Sequence, residues 1–129
     1  MKPCVVLDAS ALIAYLKQEK GYKEVSDAIA KGAAISAVNL AEVYAKIVSE
    51  GLSLDQVSPR FKALGLIVVP FGEDEVRISS ELYPICRPLG LSLGDRACLC
   101  LGLKLGLPVL TADKTWSKLN LKIDIRILR

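Results

Sequence analysis

The feature that most constrains the fold of this chain is a regular alternation of short apolar runs with longer segments of helical periodicity. The apolar runs are Val5–Asp8, Ala33–Ser36, Leu66–Pro70, Pro108–Ala112 and Ile123–Ile127. Between them, apolar residues recur at the three- and four-residue spacing of amphipathic helices. Strands that alternate with helices form a parallel sheet covered on both sides, so we expect a three-layer α/β/α sandwich with a central, mainly parallel sheet of about five strands.

Several residues set the expected limits of individual elements. Ser53 has the character of an N-cap, and Pro59 is expected to interrupt the helix that follows or to delay its start. Pro84 should kink or end the preceding helix. The segment 95–105 is helical and apolar almost all round, which predicts a buried helix. Ile123–Ile127 alternates apolar and polar residues, as expected of an edge strand with one face in water.

Composition limits the class of protein. The chain has 129 residues, of which 52% are hydrophobic and 24% are charged, so we expect one domain, residues 1–129, with a substantial core. No apolar run approaches the roughly 18 residues of a membrane span, and no secretion signal is evident, so a cytoplasmic protein without membrane contact is the simplest interpretation. The net charge of +3 permits attraction to a polyanion without requiring it.

The absence of one residue type and the spacing of another exclude several chemistries. The chain contains no histidine, which excludes a His-based acid–base or zinc mechanism. The four cysteines, Cys4, Cys86, Cys98 and Cys100, lie in apolar contexts and lack the paired spacing of a zinc cluster. We expect them to be buried, reduced thiols.

Four acidic residues, Asp8, Glu42, Asp95 and Asp113, are the candidates for chemistry. Asp8 and Asp113 end predicted strands, and parallel α/β sheets bind ligands at the carboxyl ends of their strands. Taken singly, each acid also has a structural explanation. Asp8 and Asp113 are placed to cap helices, Asp95 follows Ser92 with capping-box spacing, and Glu42 lies one turn before Lys46.

The combination of these acids favours a metal site. Two carboxylates about 4 Å apart repel by about 1 kcal/mol in water and by ~4 kcal/mol at an effective dielectric of 20, so a pocket that gathers several requires a counter-ion. Oxygen ligands select hard cations such as Mg²⁺ or Mn²⁺. Such an ion lowers the pKa of a bound water and offsets charge on a phosphoryl oxygen, which makes phosphodiester hydrolysis the natural reaction class.

The sequence around these acids resembles the motif blocks of the PIN-domain family. The blocks are Val5–Leu12, Asn39–Val43, Leu91–Leu99 and Leu107–Asp113, which span nearly the whole chain in order. The branch it resembles is the VapC-type ribonuclease toxins of toxin–antitoxin pairs. The resemblance implies a PIN-like fold, a single nuclease domain and an endoribonuclease that depends on Mg²⁺ or Mn²⁺ and hydrolyses RNA with a metal-activated water.

The resemblance also assigns roles to individual residues. Asp8, Glu42 and Asp95 match the core metal-binding acids and Asp113 matches the fourth, while Ser10 and Thr111 match hydroxyl positions that support the site. It further implies transfer or ribosomal RNA as substrate, a homodimer, and inhibition by a cognate antitoxin protein.

Three basic residues and one aromatic residue near the acids leave alternatives open. Arg96 follows Asp95 and could bind phosphate or neutralise the acids, or it could be a surface charge on the first turn of a helix. Lys114 and Lys118 flank Trp116. Trp116 could stack on a base beside phosphate contacts, although packing against the sheet is the more common role of a Trp.

Two other functions compete with the nuclease hypothesis. A non-catalytic RNA- or protein-binding module of PIN-like fold would bind RNA without cleaving it and would tolerate the loss of Asp95. A phospho-receiver domain would need an acidic pair after the first strand and a Lys after the last central strand. The first strand offers Asp8 alone and the fourth ends in Asp113, so this function is disfavoured.

Overall fold

All five apolar runs contribute strands to one sheet in the computed structural model of the protein, which describes residues 2–128. The strands are β1 (Val5–Leu7), β2 (Ala33–Ser36), β3 (Ile67–Val69), β4 (Val109–Thr111) and β5 (Ile125–Ile127). Their order across the sheet is β3-β2-β1-β4-β5, and every neighbouring pair is parallel. The carboxyl ends of all five strands therefore lie along the same edge of the sheet, and the predicted parallel sheet is confirmed.

Helices cover both faces of this sheet. They are α1 (Ala9–Leu16), α2 (Tyr22–Lys31), α3 (Ala37–Ser49), α4 (Leu54–Ala63), α5 (Glu73–Glu81), α6 (Tyr83–Cys86) and α7 (Leu93–Leu105). Helices α1 to α4 pack on one face with Val5 and Leu7, while α6 and α7 pack on the other with Val6. Successive residues of a strand point to opposite faces, so β1 is buried on both sides and the three-layer prediction is confirmed.

The two predicted proline effects, at Pro59 and at Pro84, have different outcomes. Ser53 caps α4, but the helix continues through Pro59, so the predicted interruption or late start is wrong. The carbonyl that Pro59 leaves without a helical partner belongs to Asp55, which lies in the exposed first turn where water can hydrate it. The prediction at Pro84 is confirmed, because α5 ends at Glu81 and the short helix α6 follows.

The last helix and the last strand also match their predictions. Residues 97–102 of α7 are all buried. In β5, which is an edge strand, Arg126 is exposed between the partly buried Ile125 and Ile127. Within residues 2–128, no helix combines the length and the apolar character needed to cross a membrane.

The connections place the candidate acids near one edge of the sheet. Asp8 is the single residue between β1 and α1, and α3 begins directly after β2, which brings Glu42 within its second turn. One residue, Ala112, separates Asp113 from the end of β4, and Asp95 lies in the first turn of α7.

Candidate acidic site

Asp8 is the centre of the candidate site. It ends the central strand and caps α1, and its Oδ1 accepts a hydrogen bond from the backbone N–H of Ala11 at 2.8 Å. Only 4% of the residue is exposed. Ser10 Oγ donates to Asp8 Oδ1 at 2.7 Å, and Thr111 Oγ1 donates to Asp8 Oδ2 at 2.5 Å. A buried carboxylate is thus held by hydroxyl groups that follow one strand and end another.

The same two hydroxyl groups tie the end of β1 to the end of β4. Ser10 Oγ accepts from the backbone N–H of Ala112 at 2.9 Å, and Thr111 Oγ1 accepts from the backbone N–H of Asp113 at 3.1 Å. The two hydroxyl oxygens are 3.3 Å apart. Ser10 and Thr111 therefore connect Asp8 to the segment that carries Asp113.

Burial makes the Asp8 carboxylate costly to ionise. Desolvation raises the pKa of Asp8 from 3.8 to about 6, although the hydrogen bonds from Thr111, Ala11 and Ser10 act to lower it. The charge of Asp95 raises the pKa of Asp8 further, which indicates that these two acids interact. A nearby cation would reverse this effect by favouring the charged form.

Glu42 is positioned by a contact between α3 and α7. Asn39, which is 1% exposed, donates from Nδ2 to Glu42 Oε1 at 3.1 Å and to the carbonyl oxygen of Gly94 at 2.8 Å. A Cβ atom added at Gly94 would overlap both carboxylate oxygens of Glu42. The close approach of Glu42 to α7 therefore requires glycine at position 94. Among the described residues, Glu42 and Lys46 form no ion pair within 4.0 Å, so the structural explanation that their spacing suggests for Glu42 is absent.

Asp95 and Asp113 both serve as helix-terminal hydrogen-bond acceptors. Asp95 and Ser92 form a capping box, in which the Ser92 N–H donates to Asp95 Oδ2 at 2.8 Å. Asp113 caps the 3₁₀ helix Lys114–Lys118, with Oδ1 accepting from the N–H and the hydroxyl of Thr115 at 2.9 and 2.8 Å. The capping roles that the sequence suggests for Asp95 and Asp113 are therefore present, and the same two residues are candidate metal ligands.

The structure links the four acids pairwise. Thr111 connects Asp8 with Asp113, and the Asn39–Gly94 contact brings Glu42 beside the turn that carries Asp95. The charges of Asp8, Asp95 and Glu42 all raise the pKa of the buried Cys98 thiol, after the larger effect of burial, so each of these acids acts electrostatically on the same residue of α7.

As the side chains stand, no three Asp, Glu or Cys residues within 2–128 are grouped so that they could hold a metal ion. Repulsion between unneutralised carboxylates favours such separation. The acids nevertheless fit a hard divalent cation by their chemistry, because all donors are oxygen atoms. Glu42, Asp95 and Asp113 each keep one carboxylate oxygen without a hydrogen bond from the described residues, and a side-chain rotation could turn it toward a cation. The four-ligand set stays a prediction.

Arg96 is directed toward α5 and α6. Its Nε donates to the carbonyl oxygen of Ser79 at 3.1 Å, and its guanidinium lies 5.2 Å from the ring centroid of Tyr83. Arg96 is partly buried, so these contacts give it a packing role that differs from the predicted surface charge, while a phosphate contact stays a prediction.

Packing accounts for Trp116 and for three of the four cysteines. Trp116 is fully buried, which confirms the packing role. Cys86, Cys98 and Cys100 are buried and free, as expected, whereas Cys4 is exposed and its Sγ donates to the carbonyl oxygen of Lys31 at 3.7 Å. The prediction of burial is therefore wrong for Cys4, because it lies before the first buried residue of β1.

Sequence reasoning missed Asn39 and Gly94 as members of the site. Gly94 carries a signal, since glycine inside the first turn of a helix suggests a close approach of another group. Asn39 carries none, because its partner Gly94 is 55 residues away along the chain.

Several solved structures share this fold at low sequence identity. A chain in the crystal structure of VapBC2 from Rickettsia felis, bound to a DNA fragment from their promoter, matches with a TM-score of 0.71 and 17% identity, covering 97% of this chain and 98% of that one. A chain of DNA-bound VapBC from Salmonella typhimurium matches with a TM-score of 0.70 and 16% identity, covering 96% and 97%.

A chain of VapBC-5 from Mycobacterium tuberculosis, a member of the VapBC family of toxin–antitoxin systems, matches with a TM-score of 0.61 and 22% identity, covering 98% and 99%. No curated protein sequence matches the chain. The family model of the PIN domain matches residues 5–121, which is most of the chain. Together with the parallel sheet and the acid-bearing carboxyl edge, this match shows that the chain belongs to the PIN-domain family.

Proposed function

We propose that this protein is an endoribonuclease that depends on Mg²⁺ or Mn²⁺ and hydrolyses RNA phosphodiester bonds. In this proposal residues 1–129 act as one nuclease domain, and Asp8, Glu42, Asp95 and Asp113 hold the metal. Members of the PIN-domain family are usually nucleases, which supports the proposal.

The observation that carries the proposal is the environment of Asp8. A carboxylate that is almost completely buried at the carboxyl end of the central strand is a costly arrangement, because its charge is desolvated. Its oxygens are oriented by Ser10, Thr111 and the N–H of Ala11, so the group is held in one position. A divalent cation would offset the desolvation, and the other ligands expected for it are Glu42, Asp95 and Asp113.

The roles of the residues differ within this site. Asp8 is the fixed anchor, whereas Glu42, Asp95 and Asp113 can each turn a carboxylate oxygen toward a bound cation. When bound, Mg²⁺ or Mn²⁺ supplies positive charge that offsets the charge of the phosphate and lowers the pKa of a water. Asn39 holds Glu42 against the start of α7, and the Thr111 hydroxyl contacts both the Asp8 carboxylate and the backbone N–H of Asp113.

The experiment is a cleavage assay on structured RNA with Mg²⁺ or Mn²⁺, comparing the wild type with Asp8→Asn. We expect the wild type to cleave only with metal and Asp8→Asn to lose at least about a hundredfold in rate, since an anchoring ligand is removed. Asp27→Asn is the matched control, because Asp27 is an exposed acid on α2. Equal rates for wild type and Asp8→Asn would remove Asp8 from the mechanism.

The same experiment separates the nuclease from a non-catalytic binding module. RNA binding without cleavage by the wild type, at any divalent metal concentration, would favour the module. Equal binding by the wild type and Asp95→Asn, with cleavage by neither, would be the result expected of the module.

We further propose that the protein is the toxin of a toxin–antitoxin pair, with a cognate antitoxin and a homodimeric assembly. Support comes from the folds it resembles, which include chains of VapBC and of a toxin–antitoxin complex from Klebsiella pneumoniae. Three buried, reduced cysteines suit a reducing compartment such as the cytoplasm, where transfer and ribosomal RNA are available as substrates. Co-purification with the product of a neighbouring short gene, and loss of cleavage in the complex, would test the pairing.

A further inference from the structure

An open pocket of about 650 Å³ lies beyond the carboxyl ends of β4 and β5. It is lined by Lys20, Lys114, Ser117, Ile127 and Leu128. We propose that this lysine pocket binds a backbone phosphate of the RNA that neighbours the cleaved one. The proposal rests on the proposed nuclease function and names a substrate contact for it.

Within residues 2–128, the two lysines of the pocket are not neutralised by an ion pair. Lys20 and Lys114 are exposed, and within residues 2–128 neither has an acidic partner within 4.0 Å. Lys17 and Lys104, by contrast, are paired with Glu50 and Glu75. Two unpaired ammonium groups on one concave surface favour an anion, and phosphate contacts by lysine supply most of the sequence-independent affinity for nucleic acid.

Backbone contacts join the pocket directly to the acidic site. The N–H of Leu128 donates to the carbonyl oxygen of Thr111 at 2.8 Å, while the side chain of Thr111 donates to Asp8. Lys114, which also lines the pocket, directly follows Asp113 in the chain. One residue, Thr111, thus contacts both the central carboxylate and Leu128, which lines the lysine pocket, so the pocket adjoins the segment that carries the acidic site.

Three acids lie near the lining residues in the chain, and among them Asp124 has a cationic partner within residues 2–128. Asp113 has one carboxylate oxygen held by Thr115 at the start of the 3₁₀ helix. Asp124 lies before β5, at the opposite end of that strand, and is paired with Arg126 at 2.9 Å. Glu19 precedes Lys20 in the chain and is exposed.

The chemistry of the lining matches a nucleotide. The Ser117 hydroxyl donates to the carbonyl oxygen of Lys114 at 2.8 Å, which leaves its oxygen to accept from a ribose hydroxyl, and the partly buried Ile127 offers apolar surface to a ribose or base. An acidic site repels the phosphates of its own substrate, and positive charge at the adjoining position offsets that repulsion while it aligns the strand. The lysine pocket supplies this charge next to Asp113.

The experiment measures RNA binding separately from cleavage. Asp8→Asn serves as a non-cleaving background, and the probe is a short fluorescent single-stranded RNA titrated at several KCl concentrations. We expect Lys20→Gln and Lys114→Gln each to weaken binding by about fivefold, and the slope of log K against log salt to fall by about 0.7 for each phosphate that is no longer neutralised. Lys62→Gln is the matched control, because Lys62 is an exposed lysine on α4, which ends at the amino edge of the sheet before β3.

The outcomes distinguish this proposal from the nuclease proposal. If the background binds RNA and both Lys20→Gln and Lys114→Gln bind with the affinity and salt slope of Lys62→Gln, the lysine pocket is not a phosphate site, while cleavage by the wild type still supports the nuclease. If cleavage is absent but both lysine variants weaken binding, the nuclease proposal fails and the phosphate site stands. If Asp8→Asn does not bind RNA at all, the proposal that the lysine pocket binds phosphate is wrong. Unchanged thermal unfolding of the lysine variants confirms that their fold is intact.

Discussion

At the scale of single residues, Asp8 is both a helix cap and a candidate metal ligand. A helix cap requires a short side chain with an oxygen near the first backbone N–H groups, and a metal ligand requires a carboxylate at a strand end. The single residue between β1 and α1 satisfies both conditions. The structural explanation of Asp8 therefore does not argue against the functional one.

The raised pKa of Asp8 predicts an unusual dependence of stability on pH. The folded pKa of about 6 lies above the ordinary value of 3.8, so the folded protein retains a proton that the unfolded chain has released. In metal-free buffer this group therefore lowers the free energy of unfolding as pH rises from about 4 to about 6, and its full cost above that range is about 3 kcal/mol.

Asp8→Asn removes this titration. From pH 4 to 7, we expect the stability of Asp8→Asn relative to wild type to increase by about 3 kcal/mol, measured by urea unfolding with a chelator present. Asp27→Asn should instead follow the wild-type curve. Parallel curves for wild type and Asp8→Asn would show that burial does not raise the pKa of the Asp8 carboxyl group.

We expect Gly94→Ala to reduce the rate of RNA cleavage with little loss of stability. The three atoms nearest to the new Cβ all belong to the carboxylate end of the exposed Glu42 side chain, so we expect Glu42 to move and the helix to remain. A ligand displaced by about 1 Å can reduce the rate of cleavage by about a hundredfold. The melting temperature should change little, because alanine also favours the helical state.

A matched glycine provides the control for this prediction. A Cβ at Gly72 would meet Glu75 Oε1 at 3.4 Å, which is ordinary contact, and Gly72 is remote from the four acids in the sequence. Cleavage by Gly72→Ala should match the wild type. Full activity of Gly94→Ala would mean that the position of Glu42 is unimportant.

At the scale of elements, features that depend on neighbouring residues can be predicted from the sequence, whereas contacts between elements far apart in the chain cannot. Alternating apolar runs are local, and β2 has the predicted bounds, Ala33–Ser36, while β5 is two residues shorter than predicted. The caps at Asp8, Ser92 and Asp113 are also local, and the sequence predicts them. Strand order, and the packing of α3 on α7 through Asn39, depend on residues far apart in the chain and leave no periodic signal.

The packing of α7 on β4 shows such a long-range constraint. Helix α7 approaches the sheet at Gly102, where an added Cβ would lie 2.5 Å from Val109 Cγ1 and 3.3 Å from the carbonyl oxygen of Leu107. Val109 is fully buried in β4 and cannot move aside. We expect Gly102→Ala to lower the free energy of unfolding by about 1–3 kcal/mol, despite the better helix propensity of alanine.

A double-mutant cycle with Val109→Ala tests the cause of this loss. Removing Cγ1 of Val109 relieves the overlap, so the two substitutions together should cost at least about 1 kcal/mol less than the sum of their separate effects. Additive costs would place the strain elsewhere.

At the scale of the whole molecule, the candidate site joins the two halves of the sandwich. Asp8 and Glu42 belong to elements of one layer, Asp95 belongs to α7 in the other layer, and Asp113 follows β4. A cation held by all four would therefore cross-link the layers. Because the unfolded chain separates these residues, the cation would bind the folded state and stabilise it by mass action.

Mg²⁺ or Mn²⁺ should accordingly raise the melting temperature of the wild type. At a free metal concentration of about 100 times Kd the gain in stability is about 2.7 kcal/mol, and a matched concentration of KCl should not reproduce it. Asp8→Asn and Asp113→Asn should lose most of the shift, whereas Asp27→Asn should keep it.

The effect of metal and the titration of Asp8 should also be coupled. Metal and proton compete for the same carboxylate, so the stabilisation by Mn²⁺ should be smaller below the raised pKa of about 6 than above it. Differential scanning calorimetry at two pH values, with Mn²⁺ or with chelator, measures this coupling. A shift that is equal at both pH values would mean that metal binds away from Asp8, and no shift at either would contradict a shared acidic site.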